Sequence, residues 1–469
     1  MTQNLTRRVG INTGLAFSSE VLRKLLALLL QLLAVRVFGD AGYGRYSFAL
    51  GFVALWALGN DLGLAELTVR DVARKAKEAS AYLSNILVLK LLFGALTLLA
   101  VNLVGQLTQP TEGFLILWAG LAMILFGGSR EAALGVFKGS QDFRSLFFIN
   151  LNGDLLALGL GFTAVLLGYG PEGLIVATAL SQALSAVVGL LWAKKRFGMI
   201  KPEPHRWGKL LRGGIPFALA SAFIIVYKQL DITMLKYILA DDAVVGWYSA
   251  SVRLINMLLF VPIALSAALF PAMAGISADR PRLSRITENI IRLLTALALP
   301  AALLFFFHSG EIGRLLLGEG YAPAADSLRV LAMSLPLVFA GYPLAVLLKS
   351  AGGEKRFALA ALIGGVFNFV TNLWAIPRWH HVGAAITTVA SELLVLVLFI
   401  FLSRKYLEKL KLTRPLIGLL VSGAAFGLAC WLLPFWAALI ALPGYLLLLF
   451  VTGVVRKDEL ARLKAAIRK

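Results

Sequence analysis

The sequence predicts an all-α polytopic membrane protein of about fourteen transmembrane helices. Two six-helix lobes are related by a parallel pseudo-repeat, and two C-terminal helices follow them. Three observations predict this class. The 469-residue chain is 59% hydrophobic and only 15% charged, with a mean hydropathy of +0.82. A soluble chain is nearer half apolar and a quarter charged, and cores stop growing at about 250–300 residues, so a soluble enzyme and a disordered chain are both excluded. Loop charge alternates in sign along the chain, and two short motifs recur about 200 residues apart.

A span needs about 20 mostly apolar residues. Cutting at polar and Gly/Pro clusters gives segments 12–37, 43–66, 81–105, 113–137, 146–168, 171–193, 211–238, 243–270, 289–308, 325–349, 356–376, 382–403, 413–433 and 436–455. The first segment carries Glu20, Arg23 and Lys24 and lacks a small-residue cleavage site, so it reads as a span and not a cleaved signal. Short connections make neighbouring helices antiparallel. Pro262, Pro300, Pro336 and Pro343 interrupt apolar stretches, and such prolines serve bending or are tolerated structurally.

The net charge of +20 tests the map. With the N-terminus inside, one set of loops holds 32 of the 45 Lys and Arg residues, among them Arg70, Arg74, Lys75 and Lys77 and seven in 194–212. The other set holds only Arg314 and Arg378, with Asp40, Glu112, Glu172, Asp241, Asp242, Glu311, Glu319 and Asp326. A wrong span count would scramble this alternation. The expectation is a multi-pass protein of the cell membrane with both termini cytoplasmic. The basicity orients the chain, and nucleic acid is not an expected partner.

Gly44-Arg45-Tyr46-Ser47 recurs as Gly246-Trp247-Tyr248-Ser249, and the stretch from Gly173 to Gln182 aligns with that from Gly383 to Glu392. Together they place two six-helix units in the same order, related by an axis along the membrane normal, the architecture of alternating access in parallel-repeat transporters. The expected domains are an N-lobe over 8–200, a C-lobe over 201–405, and the last two helices with a tail over 406–469.

Charges inside spans are costly, at least about 2.5–3.5 kcal/mol at the bilayer centre, and normally face a bundle interior or a wet cavity. Glu20 precedes Arg23 and Lys24 by three and four residues, and Lys228 precedes Asp231 by three, spacings that allow pairing along one helix. Two readings stand: mutual neutralisation, or a hydrated cavity walled by Arg23, Lys24, Lys90, Lys228 and Arg253. The net positive surplus within the spans favours the cavity and suits an anionic phosphate. Arg45, Arg130, Lys236, Arg292 and Arg329 lie near span ends, where snorkelling to headgroups is expected. Asp61, between Gly59 and Gly63, either caps a helix or binds a cation. Glu392, in mid-span, is a candidate ion or proton site.

Other motifs carry no chemistry. Gly168–Gly173 fits GxGxxG but holds Pro171 and has no preceding strand, so it reads as a turn. His380-His381 lacks a ligating partner nearby, and the single cysteine, Cys430, makes a cysteine-based metal site unexpected. There is no phosphate-binding GxxxxGK[ST] loop, so ATP is not the expected direct energy source. No large outside loop or reactive acid pair marks a membrane enzyme, and no cofactor or metal is expected.

Five ordered stretches carry a family likeness: Phe38–Ser47; Asp61-Leu62-Gly63-Leu64 with Arg70; Gln229–Leu235; Gly246–Ala250 with Arg253 and Pro262; and Ala268-Leu269-Phe270-Pro271. Gly383-Ala384-Ala385-Ile386 after Pro377 adds to them. With these the chain, over about residues 8–405, resembles the polysaccharide-biosynthesis flippases of the multidrug/oligosaccharidyl-lipid/polysaccharide (MOP) exporter superfamily, most of all the O-antigen-type oligosaccharide flippases. The family's usual Arg-x-Asp in helix 7 is here Lys228-Gln229-Leu230-Asp231. The resemblance implies two six-helix lobes around a V-shaped cavity. It implies transport of a polyprenyl-diphosphate-linked glycan to the outer leaflet, driven by an Na+ or H+ gradient or the membrane potential. Lys24, Lys228 and Arg253 are then expected against the diphosphate, with Arg23 and Lys90 in support. Asp61, Asp231, Glu392 and Glu20 are the coupling candidates. Expected partners are membrane lipids and glycan polymerase or ligase machinery. A lipid II flippase, a multidrug/cation antiporter and a membrane enzyme of glycan assembly are the alternatives.

Overall fold

The computed structural model describes the backbone of residues 2–277, 279–408 and 413–455. Side chains are described over 26–455, apart from 219–221, 223, 224, 226–228, 264, 266–268, 271, 272, 278 and 409–414. The side chains of Glu20, Arg23, Lys24 and Lys228 therefore lie outside the described residues.

Every regular element among the described residues is a helix. The chain divides into two compact units, Met1–Ser249 and Ala250–Lys469. The first holds α1 (Thr2–Trp56), α2 (Leu58–Asp61), α3 (Leu64–Arg74), α4 (Ala79–Thr108), α5 (Gly113–Gly120), α6 (Gly127–Gly139), α7 (Phe143–Leu166), α8 (Gly170–Phe197) and α9 (Trp207–Leu239). The next helix, α10 (Asp242–Leu258), crosses into the second unit. That unit continues with α11 (Phe260–Gly275), α12 (Arg280–Phe307), α13 (Ser309–Leu316), α14 (Ala324–Ala332), α15 (Ser334–Ser350), α16 (Glu354–Ser403), α17 (Thr413–Leu432), α18 (Phe435–Ile440) and α19 (Leu442–Val451).

Each of the fourteen expected segments falls on helix, but not one helix per segment. Segments 1 and 2 run together in α1, broken at Gly39 (φ 68°, ψ −178°), a conformation that glycine adopts without a Cβ clash. Segments 11 and 12 run together in α16, broken at His380 (φ 49°). Segment 4 is α5 and α6 joined by a π-helical turn at Leu121–Phe126. Among the described residues, eight helical stretches are long and apolar enough to cross a membrane, or nine when the bent pair α14–α15 counts as one span. Leu96, Leu99, Leu103 and Leu107 on α4 are all more than 60% exposed. A row of exposed leucines is costly in water and suits a face against lipid.

Each unit closes on its own core. In the first, Val72, Leu83, Leu134, Phe137 and Ile149 pack α3, α4, α6 and α7 together. In the second, Leu283, Leu344, Leu347 and Phe399 join α12, α15 and α16. The two C-terminal segments pack on α12 through Phe426, Cys430, Tyr445 and Leu449, and the Tyr445 hydroxyl donates to the Ala296 carbonyl at 2.7 Å. The sequence repeat assigns α9 to the second lobe, whereas its packing partners α1 and α3 both belong to the first compact unit.

Candidate functional site

Asp61 ends α2. Leu62 (φ 44°) and Gly63 (φ 72°) turn the chain through the left-handed region into α3. This turn sets the Asp61 carboxylate over the first turn of α3, where Oδ1 accepts from the Ala65 N–H at 3.3 Å. The same oxygen accepts from Lys90 Nζ at 2.7 Å. Lys90 comes from α4 and is 2% exposed, while Asp61 is 32% exposed. Asp61 thus meets an N–H in the first turn of α3 and a lysine ammonium at once. The neighbouring Asn60 is buried and donates to the Ile124 carbonyl at 2.5 Å. Ile124 sits in the π-helical turn, the kind of interruption that frees a carbonyl from its helix.

Asp231 on α9 is buried and accepts a hydrogen bond from the Tyr248 hydroxyl of α10 at 2.5 Å. Arg253, farther along α10, is half-buried in the second unit. Glu392 on α16 is half-buried within electrostatic range of Tyr342. Of the nine site residues expected from sequence, the structure thus brings Lys90 and Asp61 into direct contact.

The recurring motifs meet each other. A Cβ built on Gly44 would lie 1.8 Å from the Asp242 carbonyl oxygen, and one built on Gly246 would lie 2.0 Å from the Asp40 carbonyl oxygen. Both positions therefore have room for hydrogen alone. The contact is reciprocal, because Asp40 and Asp242 stand four residues before the two glycines. Trp247 Nε1 donates to Asp40 Oδ2 at 2.9 Å, and Arg45, the residue matching Trp247 in the repeat, feels the Asp242 charge.

An ion network surrounds this seam. Glu112, 2% exposed, accepts from Arg45 Nε at 3.0 Å and from Lys236 Nζ at 3.4 Å. Lys236 also pairs with Asp242, and Arg45 reaches Glu172 at 3.1 Å. The expected snorkelling is corrected for Lys236, which is 6% exposed and turned toward Glu112 and Asp242, whereas Arg45, a third exposed, bridges buried Glu112 and exposed Glu172. Arg130 and Arg292 are likewise buried, and Arg130 donates to Asn150 Oδ1 at 2.7 Å. In the sequence Glu112, Asp40 and Asp242 read only as loop acids. The repeat offset that carries Gly44 onto Gly246 also carries Asp40 onto Asp242, and that signal was present in the sequence.

Gly168 and Gly170 both have positive φ and form a turn, and His381 Nε2 lies 3.0 Å from the Pro323 carbonyl. Among the described residues, no group of three His, Cys, Asp or Glu could hold a metal ion.

Two family profiles match: polysaccharide biosynthesis protein over residues 9–277, and MatE over 216–374. An uncharacterized membrane protein, MJ1068, of Methanocaldococcus jannaschii is 26% identical over 292 residues, which are 59% of this chain and 56% of that protein. The chain thus spans little more than half the length of that relative. A lipid II flippase MurJ in an inward closed conformation is similar in structure, with a TM-score of 0.76 and 14% identity over 95% of this chain and 99% of that one. An inward-facing multidrug resistance MATE family transporter of the MOP superfamily gives a TM-score of 0.66 and 16% identity over 82% of this chain and 94% of that one. At such identities the likeness is one of fold.

Proposed function

The chain belongs to the polysaccharide biosynthesis protein family, and from that premise we propose that it is a MOP-superfamily flippase for a polyprenyl-diphosphate-linked oligosaccharide. It carries the glycan from the cytoplasmic to the outer leaflet by alternating access, with both termini cytoplasmic. One observation supports this reading most: the Gly44–Gly246 seam, ringed by Arg45, Glu112, Lys236 and Asp242. Alternating access needs a junction between the repeats that closes one membrane face and can part. Two reciprocal glycine contacts let the backbones close tightly, so that what must part is a small set of polar bonds such as Trp247–Asp40. In the proposed orientation this seam is at the outer face.

The diphosphate is assigned to Lys24, Lys228 and Arg253, with Arg23 as supporting charge. Lys90 is assigned less directly, since Asp61 already neutralises it. Asp231 and Glu392 are the coupling residues of choice, for Na+ or H+, with Glu20 next. Release of Asp61 from Lys90 during the cycle would add a third. A cation antiporter is the second reading, supported by the MatE match over 216–374. A lipid II flippase shares the anionic diphosphate chemistry and differs only in the head group carried.

The test is flipping of a short polyprenyl-diphosphate glycan in proteoliposomes. Lys228→Ala and Arg253→Ala should each lose at least about tenfold in rate, the loss of one charge-assisted phosphate contact, while inserting normally. Unchanged flipping by both variants would remove the cation assignment. Transport of organic cations, with no glycan flipping, would favour the antiporter.

A further inference from the structure

At the opposite end of the first unit from the seam lies a cavity of about 510 Å³. It forms where the turn between α3 and α4 meets the segment leading into α9. Five cationic side chains line it: Arg70, Arg74, Lys75, Arg206 and Lys209. Two carboxylates, Asp71 and Glu78, oppose them.

The carboxylates are already engaged. Asp71 accepts from Arg70 Nε at 2.7 Å and from the Tyr82 hydroxyl at 2.7 Å. Burial alone would raise its carboxyl, but these two hydrogen bonds outweigh it and hold the group below the ordinary carboxylate range. The Arg70 guanidinium is further fixed 5.4 Å from the centre of the Phe217 ring. Glu78 pairs with Lys75 at 3.4 Å and lies 3.8 Å from Arg206. Arg74 and Lys209 have no ion-pair partner among the described residues. Arg206 is also paired with Glu203, so five cations face three carboxylates and two positive charges remain in excess, with Arg74 acting on Asp71 only at longer range and Lys209 in no ion pair among the described residues.

The wall is built to hold its shape. Asn85, 1% exposed, accepts through Oδ1 from the Glu203 N–H at 2.7 Å and from Trp207 Nε1 at 2.9 Å. Ser84 accepts from the Ile200 N–H at 3.1 Å. These bonds clamp the polar segment before α9 onto α4, so the basic residues on its two sides cannot relax apart.

A fixed concave surface with a positive excess and uncommitted donors suits a polyvalent anion, and phosphate is the commonest such group. We propose that this cavity binds a phosphate-bearing anion, at a site separate from the intramembrane charges assigned to the transported lipid. The phosphate belongs either to a membrane lipid head group or to a phosphorylated solute, and both present the same chemistry to Arg74 and Lys209. The proposal does not depend on which glycan is flipped.

The test measures thermal unfolding of the full chain in neutral detergent at constant ionic strength. One arm titrates sodium pyrophosphate. The other compares mixed micelles of phosphatidylglycerol with those of phosphatidylcholine. At least one anion should raise the midpoint saturably, and Arg74→Gln with Lys209→Gln should weaken that response at least about tenfold. Arg314→Gln, a basic residue far away in sequence, is the control for general charge loss. A response to pyrophosphate assigns a solute-accessible site, and a response to phosphatidylglycerol alone assigns a lipid head group. Absence of a saturable shift in both arms, or an undiminished shift in the double variant, overturns the proposal. If the double variant elutes as aggregate, Lys209→Gln alone replaces it, with a severalfold loss expected.

Discussion

Lys90 shows how a single charge is settled inside a membrane protein. A lysine side chain that is 2% exposed has given up its water, and Asp61 supplies a close counter-charge at 2.7 Å. Asp61 does so because Leu62 and Gly63 turn the chain sharply after it, which frees its carboxylate for both the α3 cap and the lysine. Lys90→Ala leaves Asp61 with its cap but without its cation. Loss of one partner of a fully buried pair costs about 3–5 kcal/mol, and a third of Asp61 is exposed, so about 1–3 kcal/mol is expected here. The detergent unfolding midpoint should fall in Lys90→Ala and recover partly in Lys90→Ala with Asp61→Ala. A double variant as damaged as the sum of both single variants would show that the two residues act independently.

At the scale of elements, the decisive contact is between the start of the second expected span and its counterpart in α10. The two GxYS motifs could be matched in sequence, but nothing there says that they touch. Gly44→Ala and Gly246→Ala each place a methyl within 2.0 Å of a backbone oxygen, a distance that no rotamer change relieves. Each variant should force the seam open and reduce flipping by at least about tenfold, at little cost to expression. Glycan flipping at the wild-type rate by both variants would sink the seam as a working junction. Around it, Glu112 holds two cations from distant segments, whose hydrogen bonds offset the cost of burying the carboxylate. In one dimension Glu112 reads as a loop acid, since its partners are 67 and 124 residues away.

At the scale of the whole molecule, the loop charge bias predicts which face each loop occupies. In a variant with Cys430 replaced, a cysteine at Lys75 should be labelled only from the cytoplasmic side. One at Asp241 should react only from the outside. Labelling of both from one side would break the alternation on which the orientation rests. The native thiol is buried against α12, so its removal should not disturb the loops being probed.

The helical class, the positions of the apolar segments and the repeat were all legible in one dimension, because hydropathy and loop charge are properties of contiguous residues. The exact breaks were less so: Gly39 and His380 bend helices that hydropathy alone would separate by loops. The candidate charges could be found for the same reason, as any ionisable residue in an apolar window stands out. Their partners could not. Whether Lys90 faces a cavity or a carboxylate, and whether Arg45 and Lys236 reach headgroups or Glu112, depends on which helices lie side by side. Coulomb attraction and desolvation are decided over a few ångströms of space, so the pairings exist only once α1, α4 and α9 are packed together.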